Sequence, residues 1–206
     1  MIKEACVENL QEAKKAEEQG ADQVELCGRL DLDGLTPDFK LVKDALLELK
    51  LHVKVMVRSR GGDFVYTEEE IEEMISTIEQ LKALGVKEIV LGALTGDNQL
   101  DIPAITKLAV AAIPMKVTFH KAIDELDDPV EGVRQLRAIP GITGVLTSGG
   151  KLTAKEGVSV INQMHAAAES IQIIAAGKIT NQNLLEMRQR LTTDAYHGKL
   201  IVGRLA

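Results

Sequence analysis

The sequence contains no tryptophan and few aromatic residues of any kind. Phe, Trp and Tyr together make up 2% of the 206 residues. This scarcity argues against the aromatic platforms on which nucleic-acid bases stack and against the aromatic belts of membrane proteins. No apolar run approaches the ~20 residues that a helix needs to span a bilayer, and residues 1–4 lack the apolar stretch of a secretory signal. We therefore predict no membrane partner and a cytoplasmic location.

Basic residues and cysteines are also in short supply. The 24 Lys and Arg are outnumbered by 31 Asp and Glu, which gives a net charge of −7. An acidic protein does not favour nucleic acid as a partner, because phosphate neutralisation needs a basic surface. Two cysteines are too few for a disulfide framework. The 45% of hydrophobic residues is typical of a soluble globular protein, and we predict one domain over residues 1–206.

Eight short apolar runs recur along the chain, each of the first seven followed by an amphipathic stretch. The runs occupy residues 2–7, 23–27, 52–58, 87–94, 115–120, 144–147, 171–176 and 195–202. Such βα units build a parallel sheet covered by helices, and eight of them predict a closed (β/α)8 TIM-like barrel. An open doubly wound sheet is the alternative, although no Gly-rich dinucleotide fingerprint follows the first run.

The sequence indicates where the predicted helices begin and that the last one is incomplete. Only a few residues follow the eighth run, so we expect the eighth helix to be truncated or missing. An apolar flank would then lie uncovered, which predicts a homodimer contact or a rim left partly open. Helix starts are marked by capping residues and by proline at a first position. The residues that mark these starts are Asn9, Thr36 with Pro37, Thr67 with Glu70, Asp128 with Pro129, Thr153 and Thr180.

Alternation along the strands predicts a polar set inside the barrel. Successive side chains point to opposite faces of a strand, and the apolar ones must pack under the helices. The inward residues of the first two runs are then Glu4, Cys6, Glu25 and Cys27. Those of the later runs are His52, Lys54, Met56, Arg58, Arg60, Thr118 and His120, with His197 left open. Burying them unpaired would be costly, so we expect a site at the C-terminal mouth of the barrel.

Loops that follow three of the runs have the composition of anion sites. Arg58 and Arg60 precede two glycines, and glycine turns follow the sixth and seventh runs. Exposed backbone N–H groups in such turns can hold an anion, and late loops of this fold often bind phosphate. The predicted anion-binding residues are Arg58, Arg60, Ser148, Gly149, Gly150 and Gly177.

Several segments carry a family resemblance in the same order along the chain. They include Glu4-Ala5-Cys6-Val7, Val24-Glu25-Leu26-Cys27, Arg58-Ser59-Arg60-Gly61-Gly62-Asp63-Phe64, Thr118-Phe119-His120-Lys121-Ala122-Ile123-Asp124 and Leu146-Thr147-Ser148-Gly149-Gly150. With these segments the chain resembles the CutC family of copper homeostasis proteins. The resemblance implies a TIM-like barrel, a cytoplasmic protein linked to copper, and cysteines as copper ligands, for which Cys6 and Cys27 are the candidates.

Two functional hypotheses follow. In the first, the thiolates of Cys6 and Cys27 bind copper as Cu(I), a soft ion that favours sulfur ligands, with Met56 on the next strand. In the second, the protein is a lyase, isomerase or hydrolase acting on a small anionic metabolite. The residues of that enzyme would be Glu4 or Glu25 as general base, His120 as acid or electrophile and Arg58 as anion ligand. A variant places a divalent ion between Glu4, Glu25 and His120.

Overall fold

Eight parallel strands close into a barrel in the computed structural model, which describes residues 1–205. The strands are β1 (Ile2–Val7), β2 (Gln23–Leu26), β3 (His52–Met56), β4 (Glu88–Leu91), β5 (Lys116–Phe119), β6 (Ile142–Thr147), β7 (Gln172–Ala175) and β8 (Ala195–Gly198). Each strand pairs with the next, and β1 pairs with β8 to complete the ring. The predicted TIM-like barrel is confirmed, and the open doubly wound sheet is wrong.

Helices alternate with the strands and pack on the outside of the barrel. They are α1 (Leu10–Glu18), α2 (Phe39–Glu48), α3 (Glu68–Ala83), α4 (Ile102–Ala112), α5 (Pro129–Leu136), α6 (Val158–Ala168) and α7 (Leu184–Arg190). Within residues 1–205 no α-helix follows β8, as predicted. The homodimer contact expected at that flank stays a prediction. Over the same residues, none of the helices has both the length and the apolar character needed to cross a bilayer.

Capping residues explain where most helices begin. Asn9 accepts the Glu12 amide and caps α1, and Thr67 with Glu70 forms the capping box of α3, both as predicted. Three predicted starts are too early. The Asp38 carboxylate caps α2, so this helix begins beyond Pro37. Thr153 and Thr180 each begin only a turn, and α6 and α7 follow it.

Strand alternation sorts the side chains as the sequence predicts. Ala5, Val24, Val55 and Val117 are fully buried in the main core between the strands and the helices. The alternate side chains along each strand face the barrel axis. In the lower part of the barrel, toward the N-terminal ends of the strands, these inward side chains are polar. The upper part, toward the C-terminal ends of the strands, contains a small sulfur-rich cluster whose buried members are Cys6, Cys27, Met56 and Val90.

A buried lysine organises the lower part of the barrel interior. The Lys54 Nζ atom lies 3.0 Å from a carboxylate oxygen of Glu4 and 3.0 Å from one of Glu88, and its side chain is 2% exposed. Thr118 donates to Glu88 at 2.7 Å, and His52 Nε2 lies 2.9 Å from the same carboxylate. Burial opposes the charge of Lys54, but Glu4 and Glu88 outweigh it and raise the lysine pKa. His52 therefore belongs to this structural network.

Replacing the buried lysine tests how much the barrel depends on this network. Lys54→Met leaves the Glu4 and Glu88 carboxylates without their cation, and breaking a buried ion pair in this way costs about 3–5 kcal/mol. We expect that loss in the free energy of unfolding, measured by urea denaturation. Lys40→Met is the matched control, because Lys40 is an exposed lysine that pairs with Asp44 and should change stability by less than about 1 kcal/mol. Equal effects of the two substitutions would contradict the structural role of Lys54.

Candidate functional site

A cavity of about 390 Å³ opens where the strands end at the C-terminal mouth of the barrel. Its lining includes Asp33, Lys121, Asp124 and Glu125, and two further groups of polar side chains. One group is Cys6, Glu25, Cys27 and His197, and the other is Arg58 and His120 beside the Phe64 ring. Met56, Leu30 and Leu146 form apolar parts of the wall. The mouth of the barrel therefore holds the site, as the sequence predicts.

Strand register brings the first group together. Cys6 on β1 lies opposite Glu25 on β2, and Glu4 lies opposite His197 on β8. The sulfur atoms of Cys6 and Cys27 are 4.0 Å apart, and the Cys27 sulfur is 3.7 Å from the Glu25 carboxylate. Both cysteines are free thiols and buried. The predicted convergence of the two Glu-x-Cys triplets is thus what the structure shows.

His197 joins the two carboxylates from the last strand. Its Nδ1 atom lies 2.8 Å from Glu4 and 3.2 Å from Glu25. Potential ligand atoms of Cys6, Glu25 and Cys27, and likewise those of Glu4, Glu25 and His197, lie within 4.8 Å of one another. The structure therefore differs from the predicted divalent-ion set: the imidazole beside Glu4 and Glu25 is that of His197, not of His120.

The orientation of His197 had a signal in the sequence. Tyr196 precedes it and is packed in the core between strands and helices, whereas Ala195 packs inside the barrel. A side chain as large as Tyr196 favours the outer face of β8, and alternation then turns His197 inward. The short strand and its glycine neighbour Gly198 made this pattern weak.

Neighbouring charges in the cluster shift its protonation equilibria. Burial would raise the pKa of Glu4, but the Lys54 ammonium and His197 lower it to about 2. Burial raises the pKa of Glu25 to about 8, with repulsion from Cys6 and Glu4 adding to the effect. Burial opposes a charge on His197 as well, yet Glu25, Cys6 and Glu4 raise its pKa well above the usual value. The cluster therefore favours a protonated imidazole beside an ionised Glu4.

The two thiols differ in acidity although they are neighbours. The hydrogen bond between Cys6 and Cys27 lowers the pKa of Cys6 to about 6, and His197 adds to this effect against the cost of burial. The same hydrogen bond, together with burial, raises the pKa of Cys27 well above its usual value. One thiolate shared with one thiol is therefore the favoured state of the pair near neutral pH. Binding a metal ion to both sulfurs would release the second proton.

Arg58 and His120 line another part of the cavity. The Arg58 guanidinium donates to the carbonyls of Leu32 and Gly62 at 3.1 and 2.7 Å and lies 4.7 Å from the Phe64 ring centroid. The centroid of the His120 ring is also 4.7 Å from that of Phe64. Burial, and then the charge of Arg58, lower the pKa of His120 to about 3. This histidine is therefore a neutral imidazole near neutral pH.

The residues of the predicted enzyme are only partly assembled. Glu25, Arg58 and His120 line one cavity. Glu4 instead accepts hydrogen bonds from Gln23 and His197 and pairs with Lys54 below. The Glu4 carboxylate is thus committed to the structural network, and the enzyme hypothesis stays a prediction.

The chain itself occupies the glycine loop that was predicted to hold an anion. The Asp124 carboxylate accepts the amide and hydroxyl of Ser148 at 2.9 and 2.8 Å and the amide of Gly150 at 2.9 Å. The Gly149 amide donates to Thr147. The donors predicted for an external anion are therefore used internally, because an aspartate from the loop after β5 reaches them. The sequence segment that contains Asp124 gave no sign of this contact.

Two further predicted anion ligands are also engaged elsewhere. Arg60 pairs with Glu70 at 2.5 Å and with Asp63 at 3.0 Å, so it ties its loop to α3 and does not line the cavity. Strand alternation does not apply to Arg60, because β3 ends at Met56. A Cβ atom at Gly177 would come within 2.8 Å of the Ala154 amide nitrogen. This glycine therefore permits two loops to pack closely.

The fold and the site define a parallel (β/α)8-barrel protein whose mouth contains a cluster of thiol, carboxylate and imidazole groups suited to a metal ion. A family model described as CutC family matches residues 1–202, and the chain belongs to the CutC family. It is 38% identical over 183 residues to a family protein CutC of Klebsiella pneumoniae subsp. pneumoniae, which covers 89% of this chain and 74% of that protein.

A human relative and a solved structure agree with this assignment. The copper homeostasis protein cutC homolog of Homo sapiens is 35% identical over 197 residues, or 95% of this chain and 72% of the human protein. A crystal structure described as the copper homeostasis protein CutC of Streptococcus agalactiae superimposes with a TM-score of 0.92 and 32% identity, covering 98% of this chain and 99% of that one.

Removing the internal carboxylate should expose the donors of the glycine loop. Asp124→Ala leaves the Ser148 and Gly150 amides without their acceptor, which we expect to cost about 2–4 kcal/mol of unfolding free energy. Inorganic phosphate should then raise the melting temperature of the variant by more than that of the wild type, as measured by differential scanning calorimetry. Asp128→Ala, which removes an exposed helix cap, is the control. A variant that phosphate does not stabilise would contradict this account of the loop.

The depressed pKa of His120 should appear in the pH dependence of stability. The unfolded chain binds a proton at this histidine below about pH 6.5, whereas the folded chain does so only near pH 3. The folded state is therefore progressively disfavoured as pH falls from 6.5 toward 3. Compared with His120→Asn, the wild type should lose about 1 kcal/mol more per pH unit between about pH 6 and 4. Parallel stability curves would contradict a neutral buried imidazole. His165→Asn on α6 is the exposed control.

Proposed function

We propose that the protein binds copper as Cu(I) through the sulfur atoms of Cys6 and Cys27 and takes part in copper handling in the cytoplasm. The separation of the two sulfurs is the observation that carries the proposal. A bond between a metal ion and a thiolate is roughly 2.3 Å long, so two sulfurs on opposite sides of one ion lie about 4.6 Å apart. The two sulfurs are already 4.0 Å apart, and a small movement of the side chains would admit the ion.

The donor set fits a soft cation. Thiolates and thioethers favour Cu(I), and Met56 packs with Cys6 and Cys27 inside the barrel. One thiolate is available near neutral pH, because the pKa of Cys6 is lowered to about 6. The remaining thiol proton, on Cys27, is released when the metal binds. The names of the relatives in Klebsiella pneumoniae and Homo sapiens, which refer to CutC and to copper homeostasis, support a role with copper.

Burial of the two cysteines would shield a bound Cu(I) ion from solvent. Cys27 is 1% exposed and Cys6 is 8% exposed, and both line the cavity at the mouth. Copper would enter from the C-terminal face and be enclosed by the barrel wall. Within the residues described, these two are the cysteines of the chain, so both sulfurs of the site can be removed by two substitutions.

The affinity for Cu(I) measured without oxygen tests the proposal. Competition with a chromophoric Cu(I) chelator should give one tightly bound ion per chain in the wild type. Cys6→Ser/Cys27→Ser should weaken binding by at least about 1000-fold, equivalent to about 4 kcal/mol, because hydroxyl groups are poor ligands for Cu(I). Each single variant should weaken binding by an intermediate factor.

Matched methionine variants separate the site from general effects on the fold. Met56→Leu should reduce the affinity measurably if the thioether assists, whereas Met74→Leu, in a buried position on α3, should leave it unchanged. Circular dichroism and urea unfolding establish that each variant is folded. Equal Cu(I) affinity in the wild type and in the double serine variant would reject the thiolate site.

A further inference from the structure

Two buried hydrogen-bond donors beside the cavity have no acceptor. Among the residues that the structure describes, three buried side-chain atoms lack a hydrogen-bond partner, Arg58 Nε, His120 Nε2 and Tyr66 Oη, and the first two belong to side chains that line the cavity. The side chains of Arg58 and His120 are 3% and 4% exposed. Leaving a buried donor unpaired costs about 1–3 kcal/mol. Such groups at a cavity wall indicate a ligand that supplies the acceptor.

The tautomer of His120 is fixed by its surroundings. The Nδ1 atom of the ring accepts the Ala122 amide at 3.2 Å. A neutral imidazole that accepts at Nδ1 carries its proton at Nε2. The unpaired atom of His120 is therefore a donor, as is Arg58 Nε. The two unpaired groups require the same kind of partner, an oxygen with available lone pairs.

Arg58 is held firmly and lacks a counter-ion. Its terminal nitrogens donate to the backbone carbonyls of Leu32, Gly34 and Gly62 at 3.1, 3.4 and 2.7 Å. These contacts fix the guanidinium and leave Nε free. Among the described residues, Arg58 forms no ion pair, although salt bridges within 4.0 Å surround Arg60 two positions later. Asp124 lines the cavity too, but its carboxylate is engaged by Ser148 and Gly150.

We propose that the cavity binds the carboxylate of a small organic acid, with Arg58 Nε–H and His120 Nε2–H as its donors. The Arg58 guanidinium and the His120 ring each lie 4.7 Å from the centroid of the Phe64 ring, so both donor-bearing side chains lie beside the same ring at the cavity wall. A charge-assisted hydrogen bond from arginine is among the stronger contacts available to a carboxylate. The ligand supplies a carboxylate in direct contact with Arg58, which forms no ion pair within 4.0 Å among the described residues.

The size of the cavity and the apolar part of its wall favour an organic acid over an inorganic anion. Leu30, Met56, Phe64 and Leu146 provide apolar surface beside the charged residues Asp33, Lys121, Asp124 and Glu125, and the volume of about 390 Å³ is far larger than an oxyanion requires. The carbon skeleton of the acid would contact this surface while its carboxylate pairs with the donors. The site is distinct from the sulfur pair, so its occupancy does not depend on copper.

Titration of metal-free protein with acetate, propionate, succinate and inorganic phosphate tests the proposal. A chelator removes metal, and binding is followed by NMR spectroscopy of the histidine rings and by calorimetry. At least one of the organic acids should bind saturably and shift the ring resonances of His120, while those of His165 on the outside of α6 should not move. The effect of phosphate should be weaker. Saturable binding by phosphate alone would overturn the assignment to an organic acid, and so would no saturable binding by any of the three acids.

Paired variants locate the site. Arg58→Lys keeps the charge and removes the Nε–H donor, and His120→Phe keeps a ring and removes the Nε2–H donor. Each should weaken the binding of the acid by at least about tenfold. The matched controls Arg60→Lys and His165→Phe should stay within about twofold of the wild type. Unchanged affinity in both Arg58→Lys and His120→Phe would overturn the proposal. If one variant fails to fold, the acid affinity of the other variant and the shifts of the wild-type His120 ring resonances test the proposal.

One more variant separates this site from the copper site. Cys6→Ser/Cys27→Ser should bind the acid with the affinity of the wild type, because neither sulfur contacts the donors. A loss of acid binding in that variant would contradict the location at Arg58 and His120. Loss of Cu(I) binding with retained acid binding supports both proposals. Retained Cu(I) binding would reject the thiolate site and leave the acid site standing.

Discussion

The ion pair between Lys54 and Glu4 inside the barrel sets the charges of the groups above it. Glu4 stays ionised because the Lys54 ammonium lies 3.0 Å away. An ionised Glu4 helps to hold a proton on His197, and His197 in turn helps to stabilise the thiolate of Cys6. The acidity of one cysteine at the mouth therefore depends on a lysine nearer the other end of the barrel.

The cavity combines two chemistries that the chain keeps apart. Sulfur and carboxylate groups from β1, β2 and β8 form one cluster, and the cationic and neutral donors at the ends of β3 and β5 form the other. The loop after β6 is often a phosphate site in barrels of this type. In this protein the Asp124 carboxylate accepts the hydrogen bonds that such a loop would donate to a phosphate. The donors of that loop are therefore used within the chain, and we assign the proposed organic acid to Arg58 and His120 instead. Copper and an organic acid could thus occupy one mouth without sharing a ligand.

Much of the architecture could be predicted from the sequence because parallel strands carry strong local signals. Apolar runs at regular spacing predicted the eight strands, and their alternation placed Glu4, Cys6, Glu25 and Cys27 inside. The contacts of Asp124 and Arg60 could not be predicted in this way. Asp124 belongs to a single short 3-10 helix, Lys121–Glu125, and Arg60 to a loop, and neither segment is long enough for periodicity to fix the direction of a side chain. The starts of α6 and α7 were misplaced because Thr153 and Thr180 form capped single turns, which resemble helix starts in sequence.

X-ray absorption spectroscopy of the Cu(I)-loaded protein tests the central claim most directly. If the pair of sulfurs at the barrel mouth holds the ion, the first coordination shell contains two sulfur atoms from Cys6 and Cys27, with a third, more distant sulfur if Met56 takes part. A shell made only of nitrogen and oxygen would show that copper binds elsewhere and would contradict the account.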